Sequence, residues 1–280
     1  MQCEKITSRI GARVRGIDLT RPLAPADVAA IRAALDEHQV LFFIGQKKLT
    51  GEQHLGFARN FGEIPENPFS TSASTTKGVT TLDFTDPKLS NTDAWHSDGS
   101  FHAKPPAGSI LQAQSLPAVG GDTCFASMAA AYDALSLPLQ QFLEGLTASH
   151  SLARMLTRST THASYNFDES VTTMPPAVHP LVTVNPRTGR RRLYCNSNYT
   201  IAIDGLSKAE SDHWLAFLFE HVKSPEFQVR YRWREGDVAF WDNHAVQHYA
   251  VADYDSRRVM QRATFIADRP VGVGASVAHA

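Results

Sequence analysis

The sequence predicts a mainly β fold with flanking helices, a β-sandwich or jelly roll, in one domain spanning residues 1–280. Three observations predict it. Short runs rich in β-branched and aromatic residues recur in both halves of the chain, bounded by Gly, Pro and Asn. One of them, "FQVRYRW", alternates strictly, with Phe227, Val229, Tyr231 and Trp233 on one side and polar groups on the other. Helical patterns punctuate these runs, with no internal repeat, no linker and no Gly-rich phosphate loop of the GxGxxG or GxxxxGK[ST] kind.

Taken in order, "KITSRIGARVRGIDL" reads as a bent hairpin, with β-branched residues around two glycines. "APADVAAIRAALDEH" carries Val28, Ile31 and Leu35 at helical spacing, with Pro25 near its start. Residues 40–44, "VLFFI", form a short apolar run closed by Gly45, a buried strand. "TGEQHLGFARNFG" opens on Thr50 and Gln53 in a capping-box arrangement and closes on Gly62, a short helix. Residues 63–94 and 151–177 are long, polar and Pro- or Ser/Thr-rich, and read as lid or insert loops.

Between them, "GSILQAQSL" reads as a strand, and "SMAAAYDALSLPLQQFLEGL" as two short helices split near Pro138. "HPLVTVNPRTGRRRLYCN" reads as a hairpin turning at 185–189. "SKAESDHWLAFLFEHV" has Ser207 and Glu210 as a capping box and Trp214, Leu215 and Leu218 on one face, a helix. "VAFWD" and "RVMQRATFIAD" read as further strands, and the small residues at the C-terminus as a loose tail.

Composition narrows the function classes. With 27 basic and 28 acidic residues there is no cationic surplus to hold nucleic acid or an anionic membrane. No apolar run approaches the roughly 18 residues of a membrane span, and "MQCEKITSRIGARVRG" lacks the apolar region of a signal peptide. The three cysteines, Cys3, Cys124 and Cys195, form no CxxC pair, which fits a reducing cytoplasm. Cys124 reads as a small core residue.

The stretch "TDAWHSDGSF" places His96 and Asp98 two apart, so on extended backbone their side chains share a face and can meet one cation. Alone, a His-x-Asp is more often a hydrogen-bonded pair. A third ligand must come from elsewhere, and His244 and His248 in "WDNHAVQHYAV" compete for the place. Two His and one carboxylate on one face of an octahedron form the facial triad of non-haem Fe(II) oxygenases. Farther on, Arg258 and Arg262 share a face of a strand in "RRVMQRATF", and guanidinium is suited to bidentate carboxylate binding. Two such arginines turned inward without a ligand would be costly to desolvate.

The motifs "WHSDGSF", "PPAGSILQA", "GGDTCFASMAAAYDAL", "EFQVRYRWREGDVAFWDNHAVQHYAVADY" and "RRVMQRATFIADRP" resemble the taurine / 2,4-dichlorophenoxyacetate dioxygenase family, nearest its taurine dioxygenase branch. "GARVRGIDLTRPL" and "HQVLFFIGQ" are similar to that family's N-terminal segment. The resemblance runs from about residue 8 to 270. It implies a double-stranded β-helix jelly roll and a dioxygenase dependent on Fe(II), with 2-oxoglutarate and O2 as co-substrates. It implies His96, Asp98 and His248 as the metal ligands and catalytic centre, and sets His244 aside. It further implies that Thr123 and Arg258 bind the distal carboxylate of 2-oxoglutarate, and that Arg262 faces the anionic group of a small substrate.

The implied reaction decarboxylates 2-oxoglutarate to succinate and hydroxylates a substrate C–H; where that carbon bears sulfur or oxygen, the product falls apart. Asp98 stands where halogenating relatives have Gly or Ala, so hydroxylation or oxidative cleavage is expected. The stretch "FGEIPENPFSTS" offers Asn67 where taurine-type enzymes carry a His, and no Tyr; Asp93 and Ala94 replace their asparagines. An alkylsulfonate-like substrate is the first expectation, with aryloxyalkanoates, sulfate esters or other small carboxylates behind it. Asn67 and Phe101 join Arg262 as candidate substrate contacts, and Trp241 as a candidate pocket wall. Trp95 is expected to pack behind the ligand strand, and His102, Asp237 and Asp242 to serve structure. The resemblance also allows a homo-oligomer. A non-catalytic metal-binding jelly roll and a zinc hydrolase are the readings from other classes.

Overall fold

The computed structural model describes residues 1–65, 76–86, 94–158 and 173–274. The hairpin β1 (Gln2–Lys5) and β2 (Ala12–Arg15) leads into α1 (Pro25–His38), β3 (Val40–Phe43) and α2 (Gly51–Ala58). Next come β4 (Val79–Phe84), β5 (Gly108–Ser115), β6 (Thr123–Ser127), α3 (Met128–Asp133) and α4 (Leu137–Glu144). Then follow β7 (Thr147–His150), α5 (Leu152–Arg158), β8 (Ala177–Pro180), β9 (Val182–Val184), β10 (Arg191–Leu193) and β11 (Thr200–Ile203). The last elements are α6 (Lys208–His221), β12 (Gln228–Tyr231), β13 (Val238–Asp242), β14 (Val246–Ala250), β15 (Arg258–Phe265) and β16 (Val271–Gly272).

A seven-stranded sheet, ordered β1-β2-β3-β13-β5-β15-β4, forms one wall of the jelly roll. Its central strands are apolar on both faces because both faces are covered. Leu41, Phe43, Ile110, Val238, Phe240, Ala263 and Phe265 point outward to meet Leu35 of α1 and Leu55 and Phe57 of α2. Val40, Phe42, Leu111, Ala239, Trp241 and Met260 point inward against Phe125, Val229, Tyr231 and Val246 of the opposing sheet β12-β6-β14. Fully burying a phenyl ring contributes roughly 1.5–3 kcal/mol, so the alternation in "VLFF" stabilises two layers at once. Another core lies under α3, α4 and α6, around Met128, Leu181, Val182, Leu193, Leu215 and Leu218.

The expected helices and the hairpin β9-β10 form, but the N-terminal hairpin begins earlier than expected: its first strand is Gln2–Lys5, and residues 6–10 form the connection to β2. Thr50 and Gln53 make a reciprocal capping box on α2, as do Ser207 and Glu210 on α6. Five further expectations are corrected. Helix α2 ends at Ala58 with Arg59 as its cap, short of Gly62. Gly62 is instead demanded by packing, since a Cβ there would lie 2.3 Å from the Ile266 carbonyl. The stretch 63–94 is not all loop: β4 runs through it as the edge partner of β15. The stretch 151–177 contains α5. Phe227 closes a 3-10 turn, Pro225–Phe227, before the alternating strand. Cys124 is half-buried and not part of the core. Among the described residues, no helix is long and apolar enough to cross a membrane.

Candidate active site

The two distant histidines meet through their backbones. His96 N donates to the His248 carbonyl at 3.1 Å, and His248 N donates back to the His96 carbonyl at 2.8 Å. This antiparallel bridge joins the His-x-Asp segment to β14. Ser97 adds a hydrogen bond from its hydroxyl to the Val246 carbonyl, 2.9 Å. His244 falls in the turn before β14, outside the cluster. Hence His96, Asp98 and His248, all buried, bring one ligand atom each within 4.8 Å of one another, a group that could hold a metal ion.

The donor set suits a cation. His96 Nδ1 lies 2.7 Å from the Ala94 carbonyl, which can only accept, so Nδ1 carries a hydrogen and Nε2 is turned toward Asp98. Asp98 Oδ1 lies 3.7 Å from Nε2 of both histidines. Burial alone would raise the Asp98 pKa, but the Arg262 guanidinium and the two imidazoles hold it well below the usual carboxylate range. His248 is pushed down to about 3, first by burial and then by His96. It is neutral near pH 7, as a metal ligand must be. Its ring is held by packing, 4.8 Å from Trp241 and near-parallel to Phe125.

Beside this cluster a pocket opens, lined in part by Leu111, Thr123, Trp241, His248, Arg258 and Arg262. Arg258 donates from Nε to the Gly121 carbonyl, 3.0 Å, while its buried Nη2 has no hydrogen-bond partner among the described residues. Gly121, at φ +72, makes room for it: a Cβ there would sit 3.0 Å from the Arg258 side chain. Thr123 Oγ1 accepts from Trp233 Nε1 at 3.0 Å, which leaves its own hydrogen to donate. Arg262 donates from Nη1 to Asp98 Oδ1 at 2.9 Å, and its buried Nε has no partner among the described residues. Thus Thr123, Arg258 and Arg262 converge on one pocket at the metal cluster.

The remaining candidates divide. Phe101 is buried beside the site, packed on Tyr199 at 5.0 Å, and Tyr199 in turn meets the His96 ring edge-on at 6.4 Å. Asn67 lies outside the described residues. Trp95 packs on Tyr249 of the ligand strand. Asp237 orders its turn, accepting from Arg234 N and Tyr231 Oη. Asp242 does more than cap: it pairs with buried Arg192 at 2.7 Å. Sequence reasoning missed Ser109 and Asn243, which hold Asp98. No motif marks them: Asn243 is distant in the chain, and Ser109, on the next strand, has no fixed spacing to Asp98.

The jelly roll with a buried His/Asp/His cluster defines a class, the non-haem iron oxygenases with a facial triad. The chain belongs to the taurine catabolism dioxygenase TauD, TfdA family, whose model matches residues 2–264. It is 39% identical over 274 residues to an alpha-ketoglutarate-dependent sulfate ester dioxygenase of Pseudomonas putida, covering 96% of this chain and 90% of that protein. It is 36% identical to an alkylsulfatase of Acinetobacter baylyi, covering 97% and 87%. It is 35% identical to the alpha-ketoglutarate-dependent 2,4-dichlorophenoxyacetate dioxygenase of Cupriavidus pinatubonensis, covering 93% and 96%. Its fold matches the crystal structure of a taurine dioxygenase from Burkholderia xenovorans with a TM-score of 0.83 at 37% identity, covering 98% and 92%. The chain is therefore an Fe(II)- and 2-oxoglutarate-dependent dioxygenase acting with O2 on a small molecule.

Proposed function

We propose that this chain, as a single domain, hydroxylates the carbon bearing the ester oxygen of a small alkyl sulfate. In this reading His96, Asp98 and His248 hold the iron, Arg258 and Thr123 hold the distal carboxylate of 2-oxoglutarate, and Arg262 faces the substrate's anionic group. The observation that carries it is a pair of buried guanidinium nitrogens without partners among the described residues, Arg258 Nη2 and Arg262 Nε, beside a three-ligand cluster. Such donors call for anions, since leaving them unpaired is costly. Sulfate esters come first among anions because two of the similar proteins are named for them.

Bound iron and 2-oxoglutarate supply oxygen activation, with succinate and CO2 as co-products. The chain's own residues set the stage. Asp98 stays ionised, the His96 tautomer is fixed by the Ala94 carbonyl, and burial excludes water from the site. Hydroxylation of R–CH2–OSO3⁻ consumes one O2 and one 2-oxoglutarate and yields R–CH(OH)–OSO3⁻. That product collapses to an aldehyde and hydrogen sulfate. The free cysteines fit a reducing compartment, and we place the reaction in the cytoplasm.

Anaerobic Fe(II) and 2-oxoglutarate should produce a weak visible charge-transfer band that an alkyl sulfate perturbs. On adding O2, succinate and free sulfate should appear in equal amounts with hexyl sulfate. Succinate with hexanesulfonate or 2,4-dichlorophenoxyacetate, and none with alkyl sulfates, would overturn the substrate; no band under any condition would overturn the residue roles.

A further inference from the structure

Asp98 is held at three points that the reaction itself does not require. Its two carboxylate oxygens have different neighbours. Oδ1 faces the Nε2 atoms of His96 and His248 and the Arg262 guanidinium. Oδ2 accepts a 2.8 Å hydrogen bond from the Ser109 hydroxyl. Ser109 is fully buried on β5. Because an ionised carboxylate only accepts, the Ser109 hydrogen is committed to Oδ2.

The backbone of Asp98 is fixed separately. Asn243, fully buried in the turn between β13 and β14, accepts from Asp98 N at 2.8 Å through Oδ1. Its Nδ2 donates to the Asp98 and Pro106 carbonyls, each at 2.8 Å. One side-chain amide therefore pins the backbone of Asp98, while Arg262 holds Oδ1 and Ser109 holds Oδ2 of its carboxylate, which together oppose its rotation.

We propose that Ser109 is a positioning residue that reserves Asp98 Oδ2 and so makes Asp98 a one-oxygen ligand. The inference rests on the ligand roles proposed above. A carboxylate can bind a cation through one oxygen or two. If Asp98 chelated through both, it would fill a coordination position that 2-oxoglutarate and O2 need. Ser109 thus protects co-substrate binding rather than metal binding, and the two can be measured apart.

The test compares Ser109→Ala, Ser109→Cys and Ser109→Thr with the wild-type protein, titrated anaerobically with Co(II) and then with 2-oxoglutarate. Cys keeps the size with a weaker donor, and Thr keeps the hydroxyl. Ser109→Ala and Ser109→Cys are expected to bind Co(II) as tightly as wild type or more tightly. Their 2-oxoglutarate affinity should fall by about tenfold or more, the scale of lost outer hydrogen bonds at metal sites. Ser109→Thr should restore it, and the Co(II) absorption spectrum should change in Ala and Cys but not in Thr. Should Ser109→Ala not fold, the Cys variant carries the comparison. Equal 2-oxoglutarate affinity in all four proteins, or parallel loss of Co(II) and 2-oxoglutarate binding, would overturn the proposal. Failure of the wild type itself to bind Co(II) would instead overturn the ligand roles.

Discussion

Two buried histidine clusters lie close together in this fold, and they are built to opposite ends. In the first, His96 and His248 turn Nε2 toward one carboxylate oxygen, and the three ligand atoms fall within 4.8 Å. In the second, His150, His179 and His244 surround Tyr194, with ring centres between 5.2 and 5.8 Å apart where they pack. Among the described residues, their ring nitrogens do not converge on one point as a ligand set. His150 Nδ1 meets the Ser100 hydroxyl at 3.0 Å, and His179 Nε2 donates to the Ser100 and His102 carbonyls. The nearby carboxylate, Asp242, is taken by Arg192. Both clusters are buried and rich in histidine; convergence of ligand atoms on a shared point is what separates a ligand set from a packed core.

The comparison breaks most sharply at the carboxylates. Asp98→Ala should lower Co(II) affinity by more than about 100-fold, beyond the usual cost of losing an outer partner, and abolish substrate-dependent succinate formation. Retained turnover in that variant would remove Asp98 from the centre. Asp242→Ala should do the reverse. It strands the buried Arg192 charge, so unfolding free energy should drop by about 3–5 kcal/mol in urea titration. Co(II) affinity of the folded protein should stay within about threefold of wild type, a margin of under about 1 kcal/mol. A large loss of Co(II) binding in Asp242→Ala would mean that the two clusters act as one.

Much of this is legible in the sequence, and the failures have physical causes. The runs "VLFF" and "VAFWD" announce strands because both faces are covered, and the capping boxes at Thr50 and Ser207 announce helices through local hydrogen bonds. β4 escapes because "VTTLDF" is an edge strand, only partly buried, whose partner, β15, lies far along the chain. His96 and Asp98 are visible as a pair two residues apart. Spacing cannot choose between His244 and His248, because the choice depends on where the turn after β13 ends and β14 begins. Family resemblance names His248, and the reciprocal backbone bridge to His96 gives the geometry behind it. Ser109 and Asn243 leave no local signal: Asn243 acts across the fold, and Ser109 reaches Asp98 only through the turn that leads into β5.

The smallest effect expected is a shift of stability with pH to which the second cluster contributes two rings. Burial depresses His244 to about 4 against the pull of Asp242, and His150 to about 3, with His179 adding to the depression. Both rings are neutral in the folded protein at pH 7, while in the unfolded chain they titrate near about 6.5. The unfolded state therefore binds more protons below about pH 6.5, and stability falls as pH drops from there toward the folded values. Above that pH their contribution is fully present. Between pH 6.5 and 5 each ring should cost on the order of 2 kcal/mol. The depressed carboxylates Asp98 and Asp242 keep their charge through this window and lose it only at lower pH. Urea titrations at pH 7.5 and 5 should show the loss, and His244→Gln, which removes one titrating ring, should shrink the difference between the two pH values by about one ring's share, on the order of 2 kcal/mol. An unchanged difference in that variant would show that His244 titrates alike in the folded and unfolded states, and the acid sensitivity would then belong to other buried rings such as His54, which burial also depresses to about 4.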